Sequence, residues 1–175
     1  MLRIERLLAG EQQIEFRPIT PSDTDFLRAV YRSTREEELA PVPWSEAQKS
    51  AFVAQQFAAQ TDAYVQNYPG AQFLLLRVDA TDAGRCYLHE RRDEIRIMDI
   101  ALLPPFRKRG IGAAVLRHIL QHGVESKRAV TIHVEVFNPA MRLYQRLGFR
   151  EVSRTEVYAL MEWRPADERP ATPGG

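Results

Sequence analysis

Apolar and polar positions alternate along this chain in two rhythms, one of period two and one near 3.6 residues, and their order predicts an architecture. Residues 13–17 (QIEFR) alternate as a half-buried strand does. Residues 18–21 turn the chain, and Ser22 is placed to cap a helix whose apolar face carries Phe26, Leu27, Val30 and Tyr31. Pro41 and Pro43 break that helix. Ser45 caps a second, with Phe52, Val53 and Phe57 as its apolar positions, closed by Tyr68-Pro69-Gly70. Residues 73–78 (FLLLRV) and 85–89 (RCYLH) read as arms of a hairpin around the turn cluster 79–84 (DATDAG). Residues 94–103 form a longer strand, almost wholly apolar towards its end, which predicts burial on both faces and a central place in the sheet. A basic loop at 107–109 leads into a helix from Gly110 to about Gln121. Strand 130–136, helix 140–147, Phe149 and a last strand 157–163 follow. Early antiparallel strands and later β-α-β units predict an α/β fold, with a mixed sheet of six or seven strands.

Composition narrows what such a fold can do. A chain of 175 residues fits one domain, residues 1–164, and the stretch 165–175 (PADERPATPGG) reads as a disordered tail with almost nothing to bury. Lys and Arg total 24 and Asp and Glu 23, so a formal net charge of +1 argues against whole-molecule attraction to nucleic acid or to an anionic membrane. Cys86 is the only cysteine, which excludes an internal disulfide and a thiolate zinc cluster and makes it a small buried apolar residue. Residues 1–12 lack an uninterrupted apolar run, and no stretch approaches the roughly 18 apolar residues of a membrane span. The expectation is a soluble, cytoplasmic protein of a reducing compartment.

The chemistry is concentrated at 97–120, where a central strand ends at Leu103, Pro104 and Pro105 block the ladder, and a basic, glycine-bearing loop opens a helix. Helix N-termini present unpaired N–H groups and the positive end of the macrodipole. Gly110 and Gly112 remove side chains that would hold a phosphate off the backbone, and Arg107, Lys108 and Arg109 add charge. A P-loop would need Gly-Lys-Ser/Thr, and a dinucleotide fingerprint would need Gly or Ala where Val115 stands. Alone, the basic run is equally a solvated loop or a nucleic-acid patch.

A second stretch, 133–149 (HVEVFNPAMRLYQRLGF), reads as strand, Asn-Pro turn, short amphipathic helix and glycine C-cap. With both stretches in order, the chain resembles the GNAT superfamily of N-acetyltransferases. The family's coenzyme A motif, Arg/Gln-x-x-Gly-x-Gly/Ala, stands here as Arg107-Lys108-Arg109-Gly110-Ile111-Gly112. Of its downstream signature, Asn138, Tyr144, Gly148 and Phe149 are in place, while Ala140 sits one position early and Met141 takes its usual place. The likeness is strong over 94–163; the first half matches only in its order of elements.

The resemblance implies a GNAT fold whose central strands, here 94–103 and 130–136, splay apart, flanked by about four helices. It implies acetyl-coenzyme A as cosubstrate and no metal. Backbone amides from Arg107 through Lys108, Arg109, Gly110, Ile111 and Gly112 to Ala113 would hold the pyrophosphate. Strand backbone at Leu102 and Leu103 would pair with the pantetheine arm and polarise the thioester carbonyl. Asn138 would bind near the pantetheine or cap the following helix, and Tyr144 would protonate the leaving thiolate. For the general base Glu135, Asp99, His133 and Glu90 stay open, Asp99 because a carboxylate in an apolar strand needs a partner or a task. The acceptor, a small-molecule or peptide amine, would enter over residues 34–44, where Glu36, Glu37, Glu38 and Trp44 either enclose a cation or form a solvated helix end with a core tryptophan. A homodimer is compatible with the family. The rival readings are a non-catalytic coenzyme A sensor of the same fold and a nucleic-acid-binding domain using the basic loop.

Overall fold

The computed structural model describes residues 6–166. Eight strands form one mixed sheet in the order β1-β2-β3-β4-β5-β6-β8-β7. They are β1 (Leu7–Ala9), β2 (Gln12–Pro18), β3 (Gln72–Val78), β4 (Thr81–Glu90), β5 (Glu94–Leu102), β6 (Ala129–Glu135), β7 (Arg150–Arg154) and β8 (Tyr158–Trp163). The expected six or seven strands omitted β1, which spans only three residues, and β7, whose five residues are all exposed and so carry no apolar alternation. All neighbours are antiparallel except β5 and β6, which are parallel and joined by a crossover through α3 (Ile111–Ser126).

Local chemistry accounts for the boundaries. The β3–β4 turn is only Asp79-Ala80, both at positive φ, so β4 starts at Thr81 inside the stretch expected to be turn. Helix α1 (Thr24–Leu39) is preceded by a 3₁₀ turn over Pro21–Asp23, and the expected Ser22 cap is displaced. The Asp23 carboxylate takes the Thr20 N–H at 2.6 Å and the Thr20 hydroxyl at 2.9 Å, which moves the start of the turn to Thr20. Helix α2 (Glu46–Asn67) opens as expected: Ser45 Oγ accepts the Gln48 N–H, and Gln48 Oε1 accepts the Ser45 N–H. Helix α3 runs past Gln121 to Ser126, and at Gly123 it packs so closely that a Cβ would lie 3.0 Å from Val130 and 3.2 Å from Trp163. It ends in left-handed Lys127.

Two apolar clusters hold the layers. The larger lies between one sheet face and α3 with α4 (Met141–Arg146), and includes Ile14, Leu76, Leu88, Ile97, Ile119 and Met161. Cys86 belongs to it, fully buried as expected. The smaller packs α1 on α2 through Leu27, Tyr31, Leu39, Val53 and Phe57. Of the expected tail, residues 167–175 lie outside the described residues, and Pro165, at its start, is buried. Among the described residues no helix is long and apolar enough to cross a membrane.

Candidate active site

The site exists because β5 and β6 part company. They pair only from Glu94–Ala129 to Ile97–Ile132 and then diverge. At the same point Tyr87 pairs with Asp99 while Leu88 pairs with Ile97, so Met98 is an extra residue bulged out of β5. One extra residue inverts the side-chain alternation. Ile95 and Ile97 before the bulge, and Ile100 and Leu102 after it, all pack on the large core, and Asp99 is turned to the face under α1 and α2. The end of β5 is therefore half-buried rather than covered on both faces as its apolar run suggests, because its parallel neighbour has left.

Two clefts meet at this divergence. One, of about 480 Å³, runs from Leu102 past Lys108, Gly110, Gly112 and Ala113 to Leu143 and Arg146. The other, of about 260 Å³, lies under Tyr31, Thr34 and Arg35 of α1 and Gln60 and Tyr64 of α2, over Asp99, His133 and Glu135. Ile100, Ala101 and Tyr144 border both. Tyr144 is 3 % exposed, its ring set edge-on against Phe149 at 5.6 Å. Burial, with Asp99 and Cys86 nearby, pushes its hydroxyl well above the usual tyrosine range, so it keeps its proton at physiological pH.

The loop before α3 has the shape its sequence suggests. Gly110 sits at φ 79° at the N-cap, a left-handed conformation that favours glycine, and a Cβ on Gly112 would have no neighbour closer than Leu102 at 4.0 Å. The amides of Ile111, Gly112 and Ala113 form the first turn, where no intrahelical acceptor exists. The three basic side chains are not equivalent. Arg107 and Lys108 both line the cleft, whereas Arg109 folds back onto the Pro105 carbonyl and the Phe106 ring. Arg107 donates from Nε to the Leu102 carbonyl at 2.7 Å, and from Nη2 to the Ser33 hydroxyl at 2.9 Å and carbonyl at 3.2 Å. Leu103 lies outside the residues bordering the larger cleft, and its N–H donates to Ala83 across the β4 side. Asn138 borders the smaller cleft, not the larger, and its Oδ1 accepts the N–H of Ala140, the N-cap residue of α4, at 2.8 Å in a turn that leads into the helix.

The four carboxylate and histidine candidates separate clearly. Asp99 has a partner: Arg85, only 1 % exposed, binds it through Nη2 at 2.7 Å and Nε at 3.4 Å and reaches Gln60 at 3.1 Å. Arg85 stands between the rings of Tyr31 and Tyr87, its guanidinium carbon 5.8 and 5.2 Å from their centres. Desolvation is the strongest single influence and works against its charge, but the field and hydrogen bond of Asp99, together with the nearby Tyr87 and Tyr64 hydroxyls, outweigh it and raise its pKa. Sequence reasoning missed Arg85. The signal was present, since an acidic residue in the apolar β5 demands a cation and Arg85 is the sole Lys or Arg of the paired strand β4. Glu135 and His133 both line the smaller cleft, and Glu135 lies 3.8 Å from Arg35. Desolvation, then Arg96, lowers the His133 pKa against the pull of Glu94, which keeps the ring neutral at physiological pH. Its Nδ1 lies 3.4 Å from the Arg96 guanidinium. Glu90 is elsewhere, bonded to Arg128 at 2.6 Å and His122 at 3.3 Å near the end of α3. Of the region 34–44, Thr34 and Arg35 reach the cleft. Glu36 and Glu38 pair with Arg32 and Arg35, and Trp44 is neither core nor cleft: it stacks edge-on against Phe52, 42 % exposed.

The chain matches the Acetyltransferase (GNAT) family over residues 29–149 and belongs to it. Members of that family take an acetyl group from acetyl-coenzyme A, so this is an acetyl-coenzyme A-dependent N-acetyltransferase by class. Among curated relatives, the [ribosomal protein bS18]-alanine N-acetyltransferase of Salmonella typhimurium is 29% identical over 128 residues, 70% of this chain and 75% of that protein. The histone acetyltransferase MCC1 of Arabidopsis thaliana is 26% identical over 164 residues, 85% of this chain and 64% of that one. The PaiA N-acetyltransferase of Thermoplasma acidophilum, solved with coenzyme A, shares the fold at TM-score 0.66 and 18% identity, covering 87% of this chain and 99% of its own.

Proposed function

We propose that this enzyme acetylates the α-amine of a polypeptide by direct attack within a ternary complex. The observation that carries the reading is that the loop-side and acceptor-side clefts meet only at the β5–β6 divergence, with Tyr144 bordering both. Acetyl-coenzyme A would lie along the larger cleft, its pyrophosphate on the amides of Gly110, Ile111, Gly112 and Ala113 beside Lys108. The acceptor amine would arrive through the smaller one. Its nitrogen attacks the thioester carbonyl carbon; the C–N bond forms, the C–S bond breaks, and the electron pair leaves on sulfur. Tyr144, held protonated by burial, donates to that sulfur. The proton lost by the attacking amine passes through water to Glu135, which faces the cleft beside neutral His133. Asp99 is engaged by Arg85 and acts here as a fixed anion rather than as the base.

A polypeptide acceptor is supported by the relatives, which include enzymes named for alanine N-termini and for N-α-acetylation. It is also supported by the rim: Phe137 is 94 % exposed beside Asn138, and Tyr158 and Val157 of the β7–β8 side are about half-exposed, an apolar border suited to side chains after the first residue. The test begins with calorimetric titration of acetyl-coenzyme A into the wild type and Gly112→Asp. Thiol release is then measured with three acceptors: a peptide with a free N-terminal alanine, the same peptide blocked at its N-terminus but carrying lysine, and spermidine. Micromolar binding lost in Gly112→Asp, with turnover of the free-amine peptide alone, is the expected result. Preference for spermidine or lysine would overturn the acceptor class, and absent binding would overturn the site.

A further inference from the structure

Helix α1 roofs the acceptor-side cleft through Tyr31, Thr34 and Arg35, yet it belongs to the part of the chain that carries no phosphate-binding element. Two side chains tie it down across the divergence. From the β6 side, Glu135 stands 3.8 Å from Arg35, itself paired with Glu38. From the β5 side comes Arg107. Its Nε holds the carbonyl of Leu102, the last residue of β5, and its Nη2 holds both the hydroxyl and the carbonyl of Ser33 in the middle of α1. Ser33 in turn donates its hydroxyl to Val30 at 2.7 Å, so the contact is built into the helix rather than resting on a mobile rotamer. The first side chain of the coenzyme A motif is thereby engaged with the roof of the acceptor cleft, at the residue next to Thr34, which lines it.

We propose that Arg107 is a positioning residue for the acceptor: it latches α1 to the end of β5, sets the width of the acceptor cleft, and couples that width to the cofactor loop of which it is the first residue. The inference rests on the functional reading above for its kinetic consequences, but the latch itself does not. A guanidinium is suited to the task because one planar group bridges two acceptors in fixed geometry, which an ammonium cannot do. Because Arg107 itself borders the cofactor-side cleft together with Lys108, Gly110, Gly112 and Ala113 of the same short loop, a ligand that moves the loop also pulls on Ser33. The coupling therefore runs both ways, as linkage requires.

The deciding variant is Arg107→Lys, which keeps the loop's charge and removes the bridge; Arg107→Ala is its companion. In Arg107→Lys the KM for the free N-terminal alanine peptide should rise about tenfold, in line with losing a charge-assisted hydrogen bond, while the acetyl-coenzyme A Kd changes by less than about threefold and kcat at saturating peptide is retained. Hydrogen exchange of the α1 amides should quicken in the free protein of both variants. A raised acetyl-coenzyme A Kd with unchanged peptide KM would make Arg107 a simple cofactor ligand and overturn the proposal, as would α1 exchange identical to wild type. Should the wild type bind no acetyl-coenzyme A or ignore the peptide, it is the functional reading that fails, and α1 exchange in Arg107→Lys alone decides the latch.

Discussion

At the scale of single residues, the structure separates side chains that look alike in sequence. Three consecutive basic residues form one charged run on paper. In space Arg107 bridges two elements at the edge of the cleft, Lys108 lines the same cleft, and Arg109 lies on Phe106. The carboxylates divide in the same way: Asp99 is bound by Arg85, Glu90 by Arg128, and Glu135 stands at the cleft. Tyr144 stood out in the sequence because it completes the signature that resembles the GNAT family, and the structure sets it at the border of both clefts. Its environment was not legible, since the burial that keeps it protonated comes from residues distant in sequence. Tyr144→Phe keeps the ring contact with Phe149 and removes the hydroxyl that the proposed mechanism uses as proton donor. Steady-state kinetics should show kcat reduced by about 10²-fold or more, with acetyl-coenzyme A binding and thermal stability near wild type. An unchanged kcat would return Tyr144 to a packing role.

At the scale of elements, the bulge at Met98 and the end of β5–β6 pairing coincide, and together they make the cleft. Tyr64 on α2 reinforces the bulge by donating its hydroxyl to the Met98 carbonyl at 3.3 Å. The apolar run of β5 announced a central strand but not where its partner would leave it, because pairing depends on β6 and on the path of α3. Gly84 is the tightest point of the neighbouring pair. It stands opposite Leu102 in β4, and a Cβ there would lie 2.2 Å from the Ala101 carbonyl oxygen, a backbone atom that cannot swing aside. Gly84→Ala must therefore push β4 from β5, and chemical denaturation should show a loss of about 2–4 kcal/mol. Because the push falls beside Leu102, any residual activity should be impaired as well. Nothing in the sequence marked Gly84 apart from the other glycines, for its constraint lies across the sheet.

At the scale of the whole molecule, acid sensitivity follows from a carboxylate at the start of α1. Hydrogen bonds from Arg17 at 2.6 and 2.8 Å, assisted by Thr20 and opposed by burial, hold the Asp23 carboxyl well below the usual carboxylate range. A carboxyl lowered in the folded state adds stability that is complete above its unfolded pKa near 4 and is lost as pH falls through the folded value. Wild-type denaturation midpoints should therefore fall between about pH 5 and pH 2, and Asp23→Asn should start lower and fall less steeply over that window. Parallel curves for the two proteins would show that Asp23 plays no part. Much of the fold was readable without coordinates: the strand and helix rhythms, the Ser45 cap, the glycine-bearing loop before α3 and the buried Cys86 all follow from local periodicity, backbone freedom and residue type. Strands β1 and β7 were not, one too short and the other too exposed to carry a pattern. The tertiary structure alone decided which cation meets Asp99, which basic side chain reaches α1, and where β5 and β6 separate. Those outcomes depend on groups far apart in sequence sharing one volume, and single-chain periodicity carries no record of that distance.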